Sequence, residues 1–142
     1  MEIRKVLIEK INSSNWWHVR PQDKKSYKKR GKFLASTYKQ AEFYGKPNLE
    51  SEKVAIKNPI YGFSELEILT KLFGENAKKL LDKVLNADNC CFYNERTNLD
   101  AKIFEKARKS GYDSIVLMTK IGKNILEKGK KPNSIELNLL NI

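Results

Sequence analysis

Two hydrophobic periods coexist in this chain, and no all-helical or all-strand fold satisfies both. From Ser64 to Asn86, Leu66, Leu69, Leu72 and Phe73 recur at helical spacing, and Leu80, Leu81, Val84 and Leu85 resume it beyond Gly74. From Ser134 to Leu140 the period is two. Ile135, Leu137 and Leu139 point to one side of a strand, and Ser134, Glu136 and Asn138 to the other. Helices and strands alternate along the chain without a strict strand–helix–strand rhythm, which predicts a mixed α+β domain.

The remaining segments are read with the same signals. Met1 to Asn12 opens as a helix or a strand, and Ser13-Ser14-Asn15 turns. Asn15 to Arg20 is a short strand carrying His18, ended by Pro21. Arg20 to Lys32 is an exposed loop or solvated helix, and Gly31 leads into the apolar stretch Phe33-Leu34-Ala35. Ser36 or Thr37 caps a helix running to Tyr44, which Gly45 and Pro47 stop. Lys53 to Lys57 alternates like a half-buried strand, punctuated by Asn58-Pro59 and Gly62. Ser64 and Glu67 form a capping box. Ala87 to Asn98 is irregular, Leu99 to Ser110 is a helix capped by Gly111, and Ser114 to Met118 is a strand. Lys120 to Asn133 is a long basic loop before the closing strand.

The 142 residues suit one domain, 1–142, able to bury a core without staples. No apolar run approaches the ~20 residues of a membrane helix, and Met1 to Ile11 mixes charges into its apolar residues as a secretory leader does not. Cys90 and Cys91 are adjacent and lack zinc-site spacing, which predicts reduced thiols filling the core of a cytoplasmic protein. With a single histidine, no metal is expected; a monomer is.

Several side chains carry chemistry. His18 is flanked by both tryptophans, Trp16 and Trp17. Tyr38 and Tyr44 lie on the helix after Ser36, where a phenol ring can stack on a planar ligand while its hydroxyl stays wet. Glu136 stands alone among apolar and amide neighbours on a strand, a rigid support for a catalytic carboxylate. There is no phosphate-binding Walker sequence, no glycine-rich dinucleotide fingerprint and no serine nucleophile elbow.

The order of these pieces resembles the diphtheria-toxin-like branch of the ADP-ribosyltransferases, which includes the poly(ADP-ribose) polymerases. That branch carries a His-Gly-Ser/Thr motif on a first strand, a Gly-x-Tyr-Phe-Ala turn, a helix ending in a second tyrosine, and a glutamate opening the last strand. This chain has His18-Val19-Arg20 and Gly31-Lys32-Phe33-Leu34-Ala35. Tyr44 follows Phe33 by eleven residues, the family's interval, and Glu136 precedes Leu137-Asn138-Leu139-Leu140. The stretch from Ala101 to Met118, with Gly111-Tyr112-Asp113-Ser114-Ile115, is similar to small bacterial and phage members. Val19 replaces the motif's glycine, Arg20 its Ser/Thr, and Ala41 a serine common in the polymerases. Ser134 stands where arginine-modifying relatives carry a glutamate.

The resemblance implies an ADP-ribosyltransferase-like split mixed sheet with peripheral helices, and an NAD-dependent mono-ADP-ribosyltransferase releasing nicotinamide. NAD would be bound by His18, Val19, Arg20, Phe33, Ser36, Tyr38 and Tyr44. His18 would meet the adenosine ribose, and Tyr44 and Phe33 would wall the nicotinamide. Glu136 would be catalytic, bonding the nicotinamide-ribose 2′-hydroxyl. Small free-standing members often act as toxins or viral counter-defence effectors.

Charge narrows the acceptor. The net charge is +11. Arg20 to Lys32 holds seven basic residues and one acid, and Lys120 to Lys131 five and one. Both runs are expected to flank one cleft, more than a pyrophosphate needs, so an anionic macromolecular acceptor is expected: nucleic acid, or an acidic or nucleic-acid-bound protein. The alternative is a non-catalytic basic module binding nucleic acid or protein through the same charge and its aromatic residues.

Overall fold

The computed structural model describes residues 2–132 and 134–141. Five strands form one mixed sheet in the order β1-β2-β5-β4-β3. They are β1 (Trp17–His18), β2 (Lys32–Ala35), β3 (Pro59–Gly62), β4 (Ser114–Met118) and β5 (Ile135–Leu139). β5 runs antiparallel to both β2 and β4, while β3 is parallel to β4. A parallel neighbour needs a long return connection. Here it consists of α4 (Glu65–Phe73), α5 (Ala77–Leu85) and α6 (Phe92–Lys109).

Strand alternation separates two cores. Leu34, Val116 and Leu137 face α1 (Ile3–Asn12) and α7 (Lys120–Glu127), packing with Leu7, Ile11, Trp16 and Leu126. Ile60 and Ile115 face α4, α5 and α6, packing with Leu69, Val84, Leu99, Phe104 and Ala107. Each such buried side chain contributes about 1.5–3 kcal/mol relative to exposure. No helix among the described residues is long and apolar enough to cross a membrane.

The local signals behave as their chemistry requires. The opening segment is a helix because Leu7 and Ile11, one turn apart, are both fully buried. The Ser64 hydroxyl accepts from the Glu67 amide at 3.1 Å, but the Glu67 carboxylate takes the Phe63 amide at 2.7 Å instead of closing on Ser64. Gly74, at φ +60°, ends α4 and separates it from α5.

Four expectations are corrected. Lys53 to Lys57 is no sheet strand. It is extended, with Val54 and Ile56 buried, but the Asn12 side chain satisfies the Ile56 backbone N–H and carbonyl at 2.8 and 2.9 Å. The strand lies just beyond, at Pro59–Gly62; its proline is the first strand residue, where a missing N–H is tolerated. α6 begins at Phe92, within the stretch expected to be irregular. Lys120–Glu127 is a helix, not a loop, with Gly122 and Leu126 buried. Cys90 and Cys91 are both exposed thiols just before α6, not core residues.

Candidate functional site

Glu136 sits at the centre of a cross-strand row. It is paired with Ala35 on β2 and Leu117 on β4; Trp17 lies beyond Ala35, and Gly62 beyond Leu117. It projects to the face covered by α4 and α6, at the end of the sheet where apolar packing gives way to ionic groups. Arg96 bonds Asp100 one turn along α6 at 2.8 Å, and also bonds Glu65 in the first turn of α4. Burial raises the Glu136 pKa, and the nearby charges of Asp100 and Glu65 raise it further against the opposing pull of Arg96. Asp100 is likewise held above the ordinary carboxylate value, first by burial, with Arg96 opposing. Three carboxylates therefore share one guanidinium, and among the described residues Glu136 forms no ion pair of its own.

Tyr44 comes to the same place. Thr37 caps a short helix, α3 (Tyr38–Ala41), by accepting from the Gln40 amide at 3.1 Å. A single 3-10 turn, Glu42–Tyr44, follows. The Gln40 side chain donates to Ser134 at 3.0 Å, tying this segment to the start of β5. Tyr44 is 69% exposed, yet the Glu136 charge, then burial, then Asp100 push its phenol pKa upward. An open aromatic ring thus lies within electrostatic reach of a largely enclosed carboxylate.

The other residues expected in the cofactor site are placed less uniformly. Phe33, 37% exposed, pairs with Asn138 on the face that carries Glu136. Tyr38 meets Trp17 edge-on at 5.3 Å. Ser36 is buried and bonds Gln40. Arg20 is exposed. Val19 borders Gly45, where an added Cβ would come within 2.9 Å of the valine; Gly45 has φ +141°, so this close approach suits glycine.

His18 stands apart. It pairs with Leu34, so strand alternation sets it on the opposite side from Glu136, two strands and about 10 Å away. Its Nδ1 lies 2.7 Å from the Phe33 carbonyl and its Nε2 2.8 Å from the Tyr27 hydroxyl. A carbonyl only accepts, so Nδ1 carries the proton. Burial lowers the ring's pKa below 6.5, so the imidazole is neutral at pH 7 and Nε2 accepts from Tyr27. The structure therefore brings Tyr44 to Glu136, while both nitrogens of His18 are already occupied. A ribose hydroxyl could take Nε2 only by displacing Tyr27.

The basic runs separate as well. α2 (Ser26–Arg30) packs on α6, and its Arg30 acts electrostatically on Asp100. The Asn138 side chain ties the two regions by donating to the Arg30 carbonyl at 2.9 Å. Gly31 follows with φ +87°; an added Cβ would lie 2.2 Å from Asn138 Oδ1. The second run does not flank this cleft. α7 packs through Leu126 on the opposite face, and Lys131 lies 4.7 Å over the Trp16 ring.

Sequence reading missed Glu65, Arg96 and Asp100. Arg96 and Asp100 have the one-turn spacing of a helical ion pair, but an irregular Ala87 to Asn98 would put only Asp100 on a helix. A separate hollow of about 190 Å³ between α5 and α6, floored by Leu80, Val84 and Leu99, contains no such cluster. The chain matches no protein-family model, no curated protein and no solved structure.

Proposed function

We propose that this protein is an ADP-ribosyltransferase-like enzyme that transfers ADP-ribose from NAD to an anionic macromolecular acceptor. The observation that carries the reading is the pairing of Tyr44 with Glu136 over a floor where three carboxylates share Arg96. Such a floor favours positive charge, and the nicotinamide of NAD is a flat cation. Tyr44 would stack on that ring and hold it in line, which is orientation rather than acid–base work.

In the reaction the bond between nicotinamide nitrogen and ribose C1′ breaks. Its electron pair leaves with the now neutral nicotinamide. A heteroatom of the acceptor bonds to C1′ and releases its proton. The sugar gains positive charge as the first bond opens, and the Glu136 carboxylate, fixed on β5, stabilises that charge. His18 serves as an edge residue of the donor site, buttressing Phe33 through its carbonyl and positioning Tyr27.

The test is nicotinamide release and label transfer from NAD in a cell lysate. Glu136→Gln is expected to lower turnover about 10²–10³-fold, the effect of removing one electrostatic stabiliser of a transition state. Tyr44→Ala should chiefly raise KM for NAD. Unchanged turnover in Glu136→Gln would remove the glutamate from its role.

A further inference from the structure

We propose that the acceptor is a single-stranded nucleic acid whose unpaired base stacks on Phe43 while its phosphates run along α2. This rests on the transferase reading for the chemistry but not for the binding surface. Phe43 precedes Tyr44 in the same 3-10 turn and is 86% exposed. Leu49, 81% exposed, follows in the segment that runs alongside β1, where the Asn48 amide donates to the His18 carbonyl at 2.8 Å. A phenyl ring left in water beside a proposed reaction centre is a surface awaiting a flat partner, and every base offers one.

The charge around it selects the partner's backbone. α2 and the turn before it expose Lys24, Lys25, Lys28 and Lys29. The one acid of that run, Asp23, accepts from the Lys25 amide at 2.9 Å and so serves the turn. Arg30 at the end of α2 and Tyr44 beside Phe43 both lie in the field of the same carboxylate, Asp100. Asn138 ties Arg30 of α2 to β5, and Ser134 ties Gln40 of the segment before Phe43 to it, on either side of Glu136. The lysine ridge and the aromatic turn therefore both border that strand. The carboxylates there repel phosphate, so the nucleic acid's charged backbone is confined to the lysine ridge and an uncharged base or sugar edge is the part able to face Glu136. An acidic protein would satisfy the lysines but leave Phe43 unused. A duplex would present no open base face.

The experiment measures binding of a fluorescent single-stranded oligonucleotide without NAD, beside nicotinamide release with it. Four phosphate contacts predict an affinity loss of about 50-fold between 50 and 200 mM salt. Phe43→Ala should weaken single-strand binding by roughly 5- to 150-fold, the range of one lost base stack, with little effect on duplex. Lys28→Glu with Lys29→Glu should weaken single strand and duplex alike. Equal affinity for single strand and duplex, indifference to Phe43→Ala, or equal competition by polyglutamate would overturn the proposal. Nicotinamide release without oligonucleotide binding would overturn it and leave the transferase reading standing. Oligonucleotide binding with the Phe43 signature but no nicotinamide release would keep the surface and remove the transferase.

Discussion

The two faces of the sheet contrast most sharply at β5, where neighbouring residues answer to different demands. Leu137 is fully buried in a layer with Trp16, Leu126 and Leu34. Glu136, one residue earlier, points into a layer where Ile115 and Leu117 give way to Asp100, Glu65 and Arg96. The first face is built for stability. The second holds charge at a cost, and such places are where function resides in otherwise consistent folds.

That contrast can be broken most strongly from the apolar side. Leu137→Ala should lower the free energy of unfolding by about 2–5 kcal/mol, the cost of a core cavity, measured by urea denaturation. A loss below 1 kcal/mol would mean that this layer is loosely packed. On the ionic side, Arg96→Met removes the shared guanidinium and leaves Asp100 buried without its partner. A loss of about 1–3 kcal/mol is expected at neutral pH, shrinking as acid neutralises the carboxylates. A pH-independent loss would point to lost packing alone. Tyr27→Phe deletes one hydrogen bond to His18 and should cost about 0.5–1.5 kcal/mol. His18 resists protonation in the folded state, so this corner contributes its full stability above pH 6.5 and loses it as pH falls through the depressed pKa.

The smallest effect has the opposite sign. The folded protein holds Glu136 above the ordinary value of 4.5, so the favourable contribution is present below that pH and lost as pH rises through the raised pKa. Glu136→Gln, which cannot ionise, should therefore melt a few degrees higher than wild type at neutral pH. The advantage should vanish below pH 4.5. A variant that melts lower at every pH would make Glu136 a structural residue.

Much of this layout was legible in the sequence where local chemistry decides the outcome. Gly74, Gly111 and Thr37 mark helix ends, and the alternation around Glu136 gives the faces of β5 correctly. It was not legible where partners distant in sequence decide. Lys53 to Lys57 has the right alternation, but Asn12 occupies its hydrogen bonds. Pro59 opens a parallel strand only because Ser114 lies beside it. The long basic segment becomes α7 because Gly122 fits against Pro132 and Leu126 reaches the core, neither visible in its charge. For the candidate site, residue order groups His18, Tyr44 and Glu136, and the fold sets His18 on the other side of the sheet from Glu136. The ionic floor could not be read from order, since Glu65 and Asp100 lie on different helices and are bridged by Arg96.

The strand that carries Glu136 is the last in sequence and central in space, flanked by β2 and β4. Until Ile135–Leu139 is available, the β1–β2 pair and the β3–β4 pair share no strand-to-strand hydrogen bonds. Assembly must wait for contacts spanning about a hundred residues, a topology that slows folding. The row of side chains around Glu136 is therefore completed only when β5 docks between β2 and β4.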